Sequence, residues 1–555
     1  MKFGGRVAWP LLCWGITAAL SIPALSILWS VADDSEGVWQ HLAETVLAGY
    51  IRNTLILSAG VGIGTAITGV STAWLVTSCS FPLVRILRWA LLLPLAIPTY
   101  LSAYALTDLF QFSGPVQTWL RDVSGWTRHD YLFPEVRSLS GAIVILTLGL
   151  YPYVYLAART GFISQSASVV DASRTLGTGP WARFFRVTLP LARPSIFAGL
   201  ALVLMETLAE FGAVDYCAVD TFSTGIYRTW MSRGSLTAAA QLSACLVGVA
   251  GLLYTAEFLS RRSAQYHHAT QRTQMAVPDR LTGARKWLAT AACLLPILAG
   301  FVLPVGRFIA LTIAGGDKRA LELLAELASN SVLVALIAAG LTVLTGLLLA
   351  YMRRDSASRL THTAVQGAGM GYAIPGGVIA IGILGPLWWV EDILLTLIEE
   401  HTTWSPGLFL SGTIVAILIG YQIRFLAVPL SVIGAGFARI RPSIDDAARS
   451  LGSSKLSLLR RVHAPLLRGS LVSSALLVFV DVLKELPATL ILRPFNFDTL
   501  AVRVYQLASD ERLSEASTCA LAIVTAGLLP VILLTRMLDS SQPQSSSSIP
   551  KNDRS

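Results

Sequence analysis

Apolar residues in this chain come in long runs rather than in the short alternations of a soluble fold. Runs of about 20 residues, the length that crosses a hydrocarbon core, fall near 8–30, 53–77, 86–110, 139–162, 195–218 and 238–260. A second six fall near 287–307, 331–352, 366–390, 408–436, 469–492 and 516–536. Backbone amides in lipid must be satisfied within their own segment, so about twelve such runs predict an all-α polytopic membrane protein. A first half then covers 1–260 and a second 287–538, joined by the polar linker RRSAQYHHATQRTQMAVPDRLTGARK at 261–286. Residues 539–555 are serine-rich and low in complexity, the composition of a disordered tail.

Composition agrees with the pattern. Of 555 residues, 54% are hydrophobic and 14% charged, with mean hydropathy +0.62, whereas a soluble domain carries about a quarter charged residues. The net charge of +9 could suggest nucleic acid, but in a membrane chain it reflects Lys and Arg collected in cytoplasmic loops. The N-terminus, the connections at 78–88, 159–194, 261–286, 353–365 and 438–468, and the tail hold about 28 of them. The opposite connections hold about 12, which places both termini and the tail in the cytoplasm. Lys2 and Arg6 before an apolar run imitate a signal peptide, yet Ala8 to Ser30 has spanning length and predicts an uncleaved first helix. The six cysteines show no CxxC and the seven histidines no HExxH, so no disulfide framework or stable metal site is indicated, and His267-His268 reads as solvated.

One charged passage occurs twice. DASRTLGTGPWARFFRVTLP at 171–190 and DDAARSLGSSKLSLLRRVHAP at 445–465 match with Asp171 and Asp446, Gly177 and Gly452, and Pro190 and Pro465 each 275 positions apart. Asn53-Thr54 likewise matches Asn330-Ser331, and Ile97-Pro98 matches Ile374-Pro375, at 277 positions; Phe222 and Thr224 match Phe497 and Thr499 at 275. Six spans per half give both halves one orientation, a parallel repeat. Each copy reads as two short helices around a glycine that permits a tight turn. Thr178 and Ser453 or Ser454 are candidate caps, Pro180 suits a first helical position, and Pro190 and Pro465 punctuate the entry to the next span. Topology needs only positive charge, so an Ala/Leu face and a glycine repeated in register suggest a docking surface.

The motif Asp-Ala-Ser-x3-Gly-x9-Val-x-Leu-Pro, with Asp-Ala-Ala-x3-Gly-x9-Val-x-Ala-Pro in the second copy, resembles the EAA loop of ABC importer permeases. Aspartate stands for the usual glutamate in both, Ser173 for the second alanine, and His463-Ala464 departs before the final proline. The resemblance covers nearly the whole chain and is strongest to fused permeases for ferric iron, through METLAEFGAVDYCAVDTFSTGIYRTW (205–230) and DVLKELPATLILRPFNFDTLAVRVYQLASDERLSEA (481–516). It implies the type I importer architecture in a bacterial inner membrane. It also implies a coupling helix seated in a cleft of an ATPase subunit, carried by Asp171, Ala172, Arg174, Gly177 and Pro190, and by Asp446, Ala447, Arg449, Gly452 and Pro465. One fused chain then serves two ATPase copies and receives substrate from a periplasmic binding protein. None of the six lysines follows a glycine, so the chain has no Walker A sequence, and ATP with its Mg is expected on the partner, with no cofactor here.

Two other classes fit parts of the pattern. A proton-coupled secondary transporter also uses parallel repeats but has no need of paired docking loops. A membrane-embedded enzyme would want a motif such as HExxH or GxSxG, and neither occurs. Within the importer class, thiamine, phosphonate or polyamine are alternative cargoes that the loops do not discriminate.

Acids lie inside the spans, where charge is expensive. Glu206 and Glu210 in the fifth span match Asp481 and Glu485 in the eleventh, each at 275, and four-residue spacing would put each pair on one helical face. With Lys484 they form a candidate pathway, oxygen ligands suiting a hard cation and the lysine an accompanying anion. The alternative is structural, with Lys484 paired to an acid of a neighbouring span. On the far side, 221–237 and 493–515 read as charged loops whose Arg228, Arg503 and Arg512 could steer a binding protein.

Overall fold

The computed structural model describes residues 4–165, 172–264, 279–315, 318–356, 358–401 and 407–540. Asp171, most of the linker with His267-His268, and the tail from 541 lie outside the described residues. Among the described residues, nine helices are long and apolar enough to cross a membrane, and three sharply bent helix pairs bring the number to twelve. The first half runs through Gly4–Trp29, Leu47–Ser78, the bent pair Val84–Ala96 and Thr99–Ser124, Leu139–Ile163, Pro180–Ala209 and Leu236–Ala264. The second runs through Ala284–Gly315, Lys318–Asp355, Gly376–His401 with its approach Arg359–Ala368, the pair Ile414–Phe425 and Ala427–Ala438, the pair Lys455–Leu466 and Arg468–Leu483, and Leu513–Ser540. A polytopic all-α chain is what the apolar runs require. The described sheet is two residues wide, Cys79–Ser80 beside Asp279–Arg280 in parallel.

The third span of each half is not the straight helix that its apolar run suggests. Pro98 and Pro375 offer no amide and push the residue before them out of the helical region. Ile97 (φ −106°, ψ 123°) and Ile374 (φ −90°, ψ 126°) are accordingly extended, and the first of these spans turns by 94°. The duplicated Ile-Pro dipeptides are therefore break points.

The duplicated Asn-Thr and Asn-Ser dyads are tethers. Asn53 Nδ2 donates to the Asp220 carbonyl at 2.9 Å and Asn330 Nδ2 to that of Asp498 at 3.4 Å. Thr54 Oγ1 accepts from the Phe222 amide at 3.3 Å and Ser331 Oγ from that of Leu500 at 2.8 Å. Each dyad thus fixes the start of a short helix, Phe222–Arg233 or Leu500–Ser509. Their N-caps are Thr221 and Thr499, so the structural partner of Thr499 is Thr221. The match of Phe222 and Thr224 to Phe497 and Thr499 is out of register, because the second half carries three more residues before this helix.

Each half lends its first span to the other. Thr17 Oγ1 on the first span donates to the Ala364 carbonyl at 3.1 Å, and a Cβ on Gly382 would stand 2.5 Å from the Pro23 carbonyl oxygen. Reciprocally, Arg307 on the seventh span pairs with Asp108, and a Cβ on Gly300 would lie 2.8 Å from the Leu148 carbonyl oxygen. Lipid supplies no hydrophobic drive between helices, so such small-residue approaches and interhelical hydrogen bonds hold the halves together.

Candidate functional site

Where the halves meet, the broken spans enclose a cavity of about 120 Å³. Glu206, Glu210, Asp481, Lys484 and Glu485 all line it, with Thr99, Tyr153, Tyr372 and Arg424. Irregular backbone at membrane depth is tolerated where it borders such a space. The fifth span stops at Ala209, leaving Glu210 extended (φ −70°, ψ 124°), and the eleventh stops at Leu483 with Lys484 as its cap. The four-residue spacing therefore does not place either acid pair on one helical face, because both helices end between the two acids. Pro487 has no amide to bond the Leu483 carbonyl and so ends the eleventh span there; after the break in the fifth, the helix resumes at Gly212, where an added Cβ would lie 2.8 Å from Tyr100 and Leu486 atoms.

The acids divide into two kinds. Glu210 Oε1 accepts the Ala213 amide at 2.9 Å and Glu485 Oε1 the Ala488 amide at 3.3 Å. Each carboxylate thereby caps the helix that resumes after the break, Gly212–Tyr216 or Pro487–Leu492. Glu210 also accepts from Thr99. Arg424 Nε sits 3.1 Å from Glu485 Oε2 as an ion pair, off the line of a hydrogen bond, and its Nη1 donates to the Ile374 carbonyl at 3.3 Å. Lys484 pairs with Asp481 of its own span at 2.9 Å, not with a neighbouring span, since three residues of helix bring them together. Glu206 receives the Tyr372 hydroxyl at 2.8 Å, and among the described residues no cation stands within ion-pair distance of it. Four carboxylates against two cations leave the cavity acidic.

The two charged passages take one geometry. Gly177 (φ +72°) and Gly452 (φ +80°) are left-handed, the region that favours glycine. Their amides donate to the Arg174 and Arg449 carbonyls, both at 3.0 Å. The next amides, of Thr178 and Ser453, donate to Ser173 at 3.2 Å and Ala448 at 3.0 Å. That pair of bonds is a Schellman close to a short helix, 172–175 in one copy and Pro442–Ser450 in the other. Ser173 and Ala448 are both buried, so the serine replaces alanine on the inner side; Ala172, Ala447, Leu176 and Leu451 face outward. Leu176 is 81% exposed and Leu451 87%. Ser454 does cap, accepting from the Ser457 amide at 3.3 Å. Thr178 does not: its hydroxyl turns back to the Ser173 carbonyl at 2.6 Å and Gly179 takes the cap position. Pro190 does not interrupt the chain either, because the preceding π turn, Phe184–Thr188, absorbs its missing amide and the helix runs on to Ala209. A second π turn, Leu459–His463, lies 275 positions on before Pro465.

Residues 62–263 match the family described as binding-protein-dependent transport system inner membrane component. The molybdenum transport system permease protein ModB of Escherichia coli is 30% identical over 206 residues, 36% of this chain and 86% of that protein. The chain belongs to this permease family. The Fe(3+)-transport system permease protein FbpB 2 of Haemophilus influenzae is 26% identical over 88% of the permease and 90% of its own length. The ferric transport system permease protein FbpB of Actinobacillus pleuropneumoniae is 23% identical over 91% and 72%. Membership makes the permease a multi-pass component of the inner membrane and a transport subunit rather than an enzyme.

On the far side, the expected loops of the permease are largely helix. Phe222–Arg233 and Leu500–Ser509 bury Phe222, Ile226, Val502 and Leu507, an apolar face that a reading based on charge overlooks. Arg228 is held by Asp220 and, at 3.4 Å, by Asp215; Arg512 Nε meets Glu515 at 2.7 Å; Arg503 is half-buried. Sequence reasoning also missed Arg424 and Tyr372 in the cavity. Arg424 had a signal, a lone cation within an apolar span; Tyr372 had none.

Proposed function

We propose that this permease moves ferric iron through the acidic cavity as the membrane component of an ATP-driven importer. The observation that carries the coupling is the duplicated Schellman turn, which exposes Leu176 and Leu451 in water where a partner can cover them. Each turn docks one of two ATPase subunits, with Asp171, Ala172, Arg174, Gly177, Pro190 and their mates Asp446, Ala447, Arg449, Gly452 and Pro465 building the coupling helices. ATP and Mg bind on those partners and this chain holds no cofactor. The Lys and Arg bias of the connections supports cytoplasmic termini, which puts Arg228, Arg503 and Arg512 on the side of a periplasmic binding protein. Similarity over most of the chain to permeases of ferric iron transport systems supports iron as the cargo, as does a cavity richer in carboxylates than in cations. That surplus runs against an oxyanion as cargo.

The test is uptake by vesicles containing the permease, its ATPase and an iron-loaded binding protein. Iron should enter only with ATP. Uptake that needs no ATP and collapses with the proton gradient would establish the secondary-transporter reading instead.

A further inference from the structure

We infer that Asp279, at the end of the linker between the halves, positions the first coupling segment. The described end of the linker, from Asp279, is then part of one docking site.

The second half shows what a coupling segment needs. Asp355, the last residue of the helix Lys318–Asp355, takes Arg449 Nη2 at 2.8 Å and Lys455 Nζ at 2.7 Å, tying both sides of the glycine turn to the eighth span. Arg449 is the repeat mate of Arg174. The place matching Asp355 in the first half is the end of the second span, where the sequence reads Thr77-Ser78-Cys79-Ser80 and supplies no acid. The linker supplies it instead. Asp279–Arg280 pairs with Cys79–Ser80, Cys79 beside Asp279, and the Leu281 amide continues the ladder to the Ser80 carbonyl at 3.1 Å. One Asp279 oxygen then accepts Arg174 Nη2 at 2.9 Å while the other pairs with Arg183. These arginines again lie on either side of the glycine. The Arg183 side chain is only 10% exposed, so without Asp279 its charge would be left buried and uncompensated. Trp74 packs against Trp181 and Phe184 with centroids 5.3 and 4.9 Å apart and the rings tilted by 39° and 50°, an aromatic base that does not depend on the acid.

The inference rests on the docking role proposed for the two turns. Its test uses the full chain with its ATPase, carrying Leu176→Cys or Leu451→Cys for cross-linking to a cysteine in the ATPase cleft. Asp279→Asn should lower cross-linking from position 176 by about tenfold, the loss of one charge-assisted contact, and leave that from 451 unchanged. Asp279→Glu should recover most of it, and Asp355→Asn should show the reverse pattern. Asp279→Asn that leaves position 176 unaffected, or lowers both positions alike, overturns the inference. Leu176→Cys and Leu451→Cys chains that keep Asp279 and Asp355 and still cross-link at neither position refute the docking role, and this inference with it.

Discussion

Replacing Arg424 by Met while Glu485 remains tests whether the pair across the cavity is scaffold or pathway. Arg424 is 8% exposed and Glu485 6%, the first on the helix Ile414–Phe425 and the second in the break between Arg468–Leu483 and Pro487–Leu492. With Nε and Oε2 3.1 Å apart and charge centres near 4 Å, the attraction is about 4 kcal/mol at an effective dielectric near 20. Much of that offsets desolvation of the two ions, so the net worth of the intact pair is small. Breaking it is another matter. Arg424→Met strands the Glu485 carboxylate and frees the Ile374 carbonyl at the third-span break, and removal of one partner of a buried pair costs about 3–5 kcal/mol. Arg424→Met with Glu485→Gln removes both charges and should recover most of the loss, since Gln keeps an oxygen for the Ala488 amide. The assay is a double-mutant cycle on stability in detergent, read by unfolding in denaturing surfactant. If Arg424→Met unfolds with the wild type yet abolishes uptake, the pair is not scaffold and the reasoning fails.

Other outcomes follow from the same geometry. Glu206→Gln with Asp481→Asn leaves both helix caps in place, so assembly and ATP hydrolysis should persist while iron uptake falls at least about tenfold, the scale of one lost charge contact; full uptake would refute the acidic pathway. Gly452→Val should cost about 1–3 kcal/mol through its left-handed φ and loosen ATPase binding, whereas Gly452→Asn, which tolerates that region, should cost less. A Cβ there meets nothing within 4 Å, so equal ATPase binding by all three would remove the coupling role. Reversing charge at Arg228 and Arg512 should weaken binding-protein capture more at low salt than at high; indifference to ionic strength would count against that surface.

The membrane spans, the repeated glycine turns and the acids of the cavity were legible because each is a one-dimensional signal. Lipid imposes a length, duplication imposes a register, and an ion within an apolar run stands out against its cost. The turn glycines were legible for the same local reason, since a left-handed residue between two short helices asks for glycine wherever it folds. The break after Ala209 was not, because Glu210 and Gly212 reveal their roles only once Tyr100 and Leu486 are brought against them. Nor was the division of the acids: whether a carboxylate caps an amide, pairs with Arg424 or stands against Tyr372 depends on segments as far as 166 residues away in the chain. The exchange of first spans between the halves and the seating of Asp279 beside Cys79 are long-range in the same sense. Sequence thus determined which segments enter the membrane and which turns repeat. Tertiary structure decided which charges are neutralised, because electrostatic energy depends on distance and burial, and the chain order states neither.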